Sequence, residues 1–166
     1  MGSDRNEDMA QELEWDLPGP FTLAVKVERE HIDGLNHTNN AVYVQWCEQV
    51  AWAHSLSLGQ DIDSYRALNR AMAVTRAEYQ YLQASRLGDE LVAATWIIES
   101  DRKLNMTRHF QIQRATDGVT LLRGRVRFTC IDLENGRPRR MPPEFLRDYG
   151  PVILDAPEVP DWAKFR

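Results

Sequence analysis

Residues 41–58 constrain this chain more than any other stretch, because they read as a helix that is apolar nearly all round. Val42, Tyr43, Val44, Trp46, Cys47, Val50, Ala51 and Trp52 leave it little polar face. Such a helix is wrapped by other structure instead of lying on a surface, and Gly59 is a natural stop. What surrounds it must come from the rest of the chain, which reads as strands. Residues 21–27 alternate, with Phe21, Leu23, Val25 and Val27 on one face. After a polar connection, strand patterns run over 71–82, 91–99, 105–114 and 120–131, with turn signals at Gly88-Asp89 and Thr116-Asp117-Gly118. One strand, one enclosed helix and four further strands predict a two-layer α+β domain built on an antiparallel sheet. One helix cannot cover both faces and every edge of that sheet, so a second copy of the chain is the expected partner.

A chain of 166 residues is most simply one domain, large enough to bury a core without disulfides or metals. The formal net charge of −5 argues against general nucleic-acid binding, though a local basic patch for a small polyanion stays open. Cys47 and Cys130 lie far apart and in no zinc-like cluster, and Cys47 reads as a buried, inert thiol. The histidines at 31, 37, 54 and 109 lack metal-ligand spacing, so neither a metal nor a cofactor is expected. Residues 1–16 are polar and acidic without the apolar core of a signal peptide, and no apolar run approaches the roughly 20 residues of a membrane helix. The expectation is a cytoplasmic protein with no membrane partner. Residues 1–17 read as a mobile leader, and Pro18-Gly19-Pro20 marks where order begins. The domain then occupies 18–145, and 146–166 form an extended tail, with at most a short helix near 143–149.

The densest chemistry lies between the first strand and the helix. Asp33-Gly-Leu-Asn36-His37-Thr38-Asn39-Asn40 carries one carboxylate, one imidazole and three amides in eight residues. A strand feeds a polar turn, which feeds a helix N-terminus. That junction collects unpaired backbone N–H groups and the positive end of the helix dipole, where a developing oxyanion is stabilised. A carboxylate beside such donors suits acyl-transfer chemistry. The competing reading is local, because Asp and Asn favour turns and helix caps for reasons unconnected with catalysis.

The same residues resemble a known family. Asp33 through Glu48, with His37, Asn39, Asn40, Tyr43 and Trp46 between, looks like the opening signature of the hotdog-fold acyl-CoA thioesterases of the 4-hydroxybenzoyl-CoA thioesterase type. Tyr79 followed by Leu-Gln-Ala-Ser-Arg-Leu-Gly88-Asp89 resembles the second block. Asn135-Gly136-Arg137 through Met141-Pro142 resembles the closing one. Asn36 stands where the family usually has Gly, and Thr38 where it usually has Val. Plant acyl-carrier-protein thioesterases share the later His-x-Asn-Asn part.

The resemblance implies an antiparallel five-stranded sheet wrapped around one long central helix. It also implies a homodimer, or a dimer of dimers, that hydrolyses an acyl-CoA thioester in a cleft between subunits. Asp33 would be the catalytic carboxylate, orienting water or attacking the thioester itself. Backbone N–H groups around Asn39 and Asn40 would polarise the carbonyl, with His37 and the Asn40 side chain in support. Glu48, inside the helix, is a secondary candidate whose plainer reading is a solvated or interface carboxylate.

Arg123, Arg125 and Arg127 share one strand face, and Arg137, Arg139 and Arg140 follow just beyond. Either group could meet the phosphates of CoA, and either could merely keep a sheet face charged. Tyr79, Trp46, Trp52 and Trp96 are large enough to shape an acyl pocket, but core packing is their simpler role. The rival function is a non-catalytic hotdog module that binds acyl-CoA or only dimerises, which would have no need of Asp33. A hotdog dehydratase suits the residue order less well.

Overall fold

The structure, a computed structural model, describes residues 13–154. β1 (Phe21–Lys26) leads through a 3-10 turn (Arg29–His31) to α1 (Asn40–Ser57), and α2 (Ile62–Leu68) follows. Then come β2 (Arg70–Tyr81), β3 (Glu90–Ser100), β4 (Asn105–Arg114) and β5 (Thr120–Asp132). α3 (Pro143–Tyr149) and a 3-10 turn (Gly150–Val152) close the described chain. The five strands form one antiparallel sheet in the order β1-β3-β4-β5-β2, so β1 and β2 are its edges.

The expectation of one long central helix is met in part. At 18 residues α1 is the longest helix among the described residues, and two shorter α-helices accompany it there. It buries a single stripe of Val42, Tyr43, Trp46, Cys47, Val50 and His54, while Ala41, Gln45, Glu48, Gln49, Trp52 and Leu56 are exposed. Trp52 is thus no core residue, unlike Trp46 and Trp96. α2 replaces part of the expected polar connection. Asp61 caps it by accepting the Ser64 N–H at 2.7 Å, and Asn69 ends it in the left-handed region at φ 51°.

On either side of the expected domain, 18–145, the described chain keeps contact with the fold. Ahead of residue 18, Gln113 Nε2 donates to the Glu14 carbonyl at 2.6 Å and Asp16 N–H donates to Gln111 Oε1 at 2.9 Å. Asp16 also takes both ends of the Arg123 fork, at 2.8 and 2.9 Å, and Leu17 is buried. Past residue 145 the chain continues α3, buries Tyr149, and bridges Ile153 to Ile97 in β3. Backbone polar groups and apolar side chains at both ends are thus satisfied by the fold. The remainder of the expected leader and tail, 1–12 and 155–166, lies outside the described residues.

The chain divides into two compact units. The first comprises Met1–Ala51, Tyr79–Thr95 and Phe110–Gly124. Within it β1 pairs antiparallel with β3 from Phe21↔Thr95 to Lys26↔Glu90. Gly124 is required on β5, because a Cβ there would come 2.9 Å from the Tyr79 ring and 3.4 Å from Phe110 Cβ.

The second unit comprises Trp52–Glu78, Trp96–His109 and Arg125–Arg166. Its apolar core is Tyr65, Ile97, Met106, Cys130, Met141, Phe145 and Tyr149. A buried polar cluster adjoins it: Arg108 Nη1 meets His54 Nδ1 at 2.9 Å and Arg108 Nη2 donates to Ser55 Oγ at 3.3 Å. The Tyr149 hydroxyl donates to the same Ser55 Oγ at 2.9 Å and shares a 2.6 Å hydrogen bond with Tyr65. Burial, followed by the Arg108 charge, lowers the His54 pKa to about 4, which keeps its ring a neutral acceptor for the guanidinium. Burial likewise brings Arg108 down to about 10. Cys47 and Cys130 are free and buried, and burial raises both thiols.

Candidate active site

The loop between β1 and α1 is a small closed turn of the first unit. Ile32 and Thr38 form an antiparallel bridge, Asp33 N–H donates to the His37 carbonyl at 2.8 Å, and Asn36 N–H donates to the Asp33 carbonyl at 3.1 Å. The Asp33 carboxylate works inside this turn, its Oδ1 accepting the Leu35 N–H at 2.8 Å and the His37 N–H at 3.2 Å. Asp33 therefore caps its own loop, and its side chain is also exposed to whatever enters there. Asn36 has φ 61°, which explains the exchange with Gly at this place: Asn is the side chain that tolerates the left-handed region best.

Asn39 and Asn40 divide their work. Asn39 Oδ1 accepts the Ala41 N–H at 3.0 Å, so Asn39 is the N-cap of α1, and its own N–H donates to the His31 carbonyl at 2.8 Å. Among the described residues, neither the N–H nor the side chain of Asn40 has a hydrogen-bond partner. The first N–H of α1 is thus an available donor at the positive end of the helix dipole. His37 is half-buried on the same loop, its backbone tied to Asp33.

Glu48 lies two turns along α1 and is exposed. Its charge and the Cys47 thiol both act on Tyr79, whose pKa is raised first by burial and then by these two neighbours. The Tyr79 ring lies against Gly124, so Tyr79, Cys47 and Glu48 form one neighbourhood of the first unit. Sequence reading missed the group that underlies the loop. Ser85 is fully buried and makes hydrogen bonds to both Thr38 and Tyr43. It lies inside the block resembling the family, yet its neighbours Ala84 and Arg86 are exposed, so no hydrophobic pattern marks it.

The arginines expected to meet phosphates belong to the second unit, except Arg123, which the Asp16 carboxylate engages. Arg139 donates to Asp132 at 2.9 Å and is half exposed, while Arg137 and Arg140 are exposed. Arg125 is half-buried, and Arg127 lines a cavity of about 250 Å³ together with Glu99, Asp101 and Thr107. Among the described residues, no group of three His, Cys, Asp or Glu could hold a metal, and no helix is long and apolar enough to cross a membrane.

The five-stranded antiparallel sheet with its helices matches the fold of solved hotdog thioesterases. Residues 27–148 match the Thioesterase-like superfamily, and the chain belongs to that family and with it to the thioester hydrolases. A hypothetical protein from Staphylococcus aureus, solved in complex with CoA, is 20% identical with a TM-score of 0.77, covering 92% of this chain and 97% of that one. A 1,4-dihydroxy-2-naphthoyl-CoA thioesterase from Synechocystis is 17% identical with a TM-score of 0.72, covering 80% and 96%. The 12:0-acyl-carrier-protein thioesterase of Umbellularia californica is 18% identical with a TM-score of 0.75, covering 92% and 61%. No curated protein sequence matches the chain significantly.

Proposed function

We propose that this chain is an acyl-CoA thioesterase of the 4-hydroxybenzoyl-CoA thioesterase type, its sheet curled about α1 and its reaction run from the head of that helix. The observation that carries the reading is the pairing, on one short segment, of the Asp33 carboxylate with the unengaged Asn40 N–H. The thioester carbonyl oxygen would take the Asn40 N–H, which strengthens its hold as the oxygen gains charge in the tetrahedral state. Asp33 would then deliver the oxygen nucleophile. As general base it takes a proton from water attacking the carbonyl carbon; as nucleophile it forms an anhydride that water opens. In both routes the C–S bond breaks and the CoA sulfur leaves to be protonated. Single turnover in isotope-labelled water identifies the nucleophile route when solvent oxygen appears in Asp33, the result of water opening the anhydride at the Asp33 carbonyl. His37 and the Asn40 amide support the site, with Glu48 a secondary candidate.

The nucleotide phosphates are assigned to Arg137, Arg139 and Arg140, with Arg125 and Arg127 beside them on β5. CoA is favoured over acyl-carrier protein by the basic residues exposed at 137–140 and by the CoA-bound similar structure. Thiol release from a panel of short, long and aromatic acyl-CoAs tests the reading. Turnover on at least one is expected, whereas no turnover on any would favour a non-catalytic binding module. Charge reversal at Arg137 and Arg140 should raise KM for acyl-CoA and leave kcat nearly unchanged, with little effect on a truncated thioester. Faster release from acyl-carrier protein than from CoA would move the assignment to the carrier-protein enzymes.

A homodimer is the proposed minimum unit, with a dimer of dimers above it, acting in the cytoplasm. β2 is an edge strand, and Val74, Tyr81 and the following Leu82 are 53%, 45% and 45% exposed. An apolar edge of this kind invites pairing with another copy, and α1 adds exposed Trp52 and Leu56. Sedimentation velocity at micromolar concentration should give a dimer or tetramer; a stable, active monomer would refute the assembly.

A further inference from the structure

We propose that Ser85 is the positioning residue of the active-site loop, holding the Asp33 turn and the start of α1 in one arrangement through a closed circuit of buried hydroxyls. The inference deepens the hydrolase reading and rests on it for its kinetic consequence. Ser85 N–H donates to the Tyr43 hydroxyl at 3.0 Å, and Tyr43 shares a 2.7 Å hydrogen bond with Ser85 Oγ. Ser85 Oγ shares a second 2.7 Å bond with Thr38 Oγ1, and Thr38 Oγ1 reaches the Ser85 carbonyl at 3.2 Å. Thr38 N–H donates to that same carbonyl at 3.0 Å.

Counting protons orients the circuit. The Ser85 carbonyl can only accept, so the Thr38 Oγ1 proton goes to it and Thr38 Oγ1 accepts from Ser85 Oγ. Ser85 Oγ, its one proton committed there, accepts from the Tyr43 hydroxyl, whose oxygen accepts the Ser85 N–H. Every hydroxyl donates once and accepts once, and a fully satisfied buried network of this kind specifies one geometry.

Its placement makes the geometry functional. Thr38 lies between His37 and the N-cap Asn39, and Tyr43 lies one turn into α1, so Ser85 grips the segment carrying Asn40 from both sides. Ser85 is itself held on a braced loop. Arg114 donates to the Ala84 carbonyl at 3.0 Å and pairs with Asp89 at 3.3 Å and Asp117 at 2.7 Å. The circuit also accounts for Thr38 where the family usually has Val: a valine methyl there would strand the Ser85 Oγ proton in the interior.

The test compares Ser85→Ala, Thr38→Val and Thr38→Ser by steady-state kinetics and by hydrogen exchange resolved over residues 33–40. Ser85→Ala and Thr38→Val should lower kcat about 10- to 100-fold, the scale on which small misplacements of reacting groups act, with KM for acyl-CoA within about twofold. Amides of the loop should exchange about tenfold faster or more. Thr38→Ser keeps the hydroxyl and should stay within about threefold of wild-type kcat. Tyr149→Phe, which removes a buried hydroxyl from the second unit, controls for general destabilisation and should leave kcat near wild type. Wild-type kcat in Ser85→Ala, with Asp33→Asn impaired, overturns the inference. If Asp33→Asn is also silent, the hydrolase mechanism fails instead, and exchange decides alone: unchanged loop protection in Ser85→Ala overturns the positioning role. Should Ser85→Ala fail to fold, Thr38→Val carries the same readouts.

Discussion

Asp33→Asn is expected to fold like the wild type and to lose about 100- to 10,000-fold in kcat, the range a positioned general base contributes. The amide keeps an oxygen where Oδ1 accepts the Leu35 and His37 N–H groups, so the turn survives while the charge is removed. Asp33→Ala removes both, and should add to the catalytic loss about 1 kcal/mol of stability, the usual worth of a capping side chain. The pair separates the two roles that one carboxylate holds in this loop. If Asp33 only caps the turn, Asp33→Asn turns over like the wild type, and a urea titration shows Asp33→Ala alone to be impaired.

The largest effect on stability should come from Arg108→Ala. Arg108 is among the largest fully buried side chains, and its guanidinium binds His54 Nδ1 and Ser55 Oγ. Truncation opens a cavity and takes a donor from two buried acceptors, so a loss of about 3–5 kcal/mol is expected. It should appear as a lower urea midpoint with an unchanged m-value, which marks lost stability instead of a changed unfolding reaction. Arg108→Lys keeps a charge but presents one ammonium in place of a planar fork, so it should fall between the wild type and alanine. A midpoint within error of the wild type for Arg108→Ala would show that the cluster contributes no net stability.

Much of the fold was legible because the local signals agreed with one another. β4 begins and ends where the strand pattern placed it, over Asn105–Arg114, and α1 differs from its sequence reading by one residue at each end. The missed helix, α2, is seven residues long, too short for periodicity to declare itself, although its Asp61 cap was written in the chain. The apolar character of α1 was legible in the sequence, whereas which of its faces the chain itself buries was not. Composition around a helix shows that several faces are apolar, whereas burial depends on what stands opposite each face, and Trp52 and Leu56 are exposed.

The candidate site divides in the same way. The sequence by itself determined that a carboxylate, an imidazole and three amides would crowd the entry to the main helix, because five such side chains within eight residues cannot be spread apart. It left open which of these side chains would cap the helix, since Asp and Asn both favour that place. Only the tertiary structure decided which: Asn39 closes the helix end and Asn40 keeps its N–H available. Only the tertiary structure brought Ser85 beneath Thr38, 47 residues away along the chain, and paired Arg123 with Asp16. The physical reason is range. Capping and turn preferences act within four or five residues and can be read along a chain, whereas a buried hydroxyl or guanidinium takes its partner from whichever strand or loop the packing of the core carries to it.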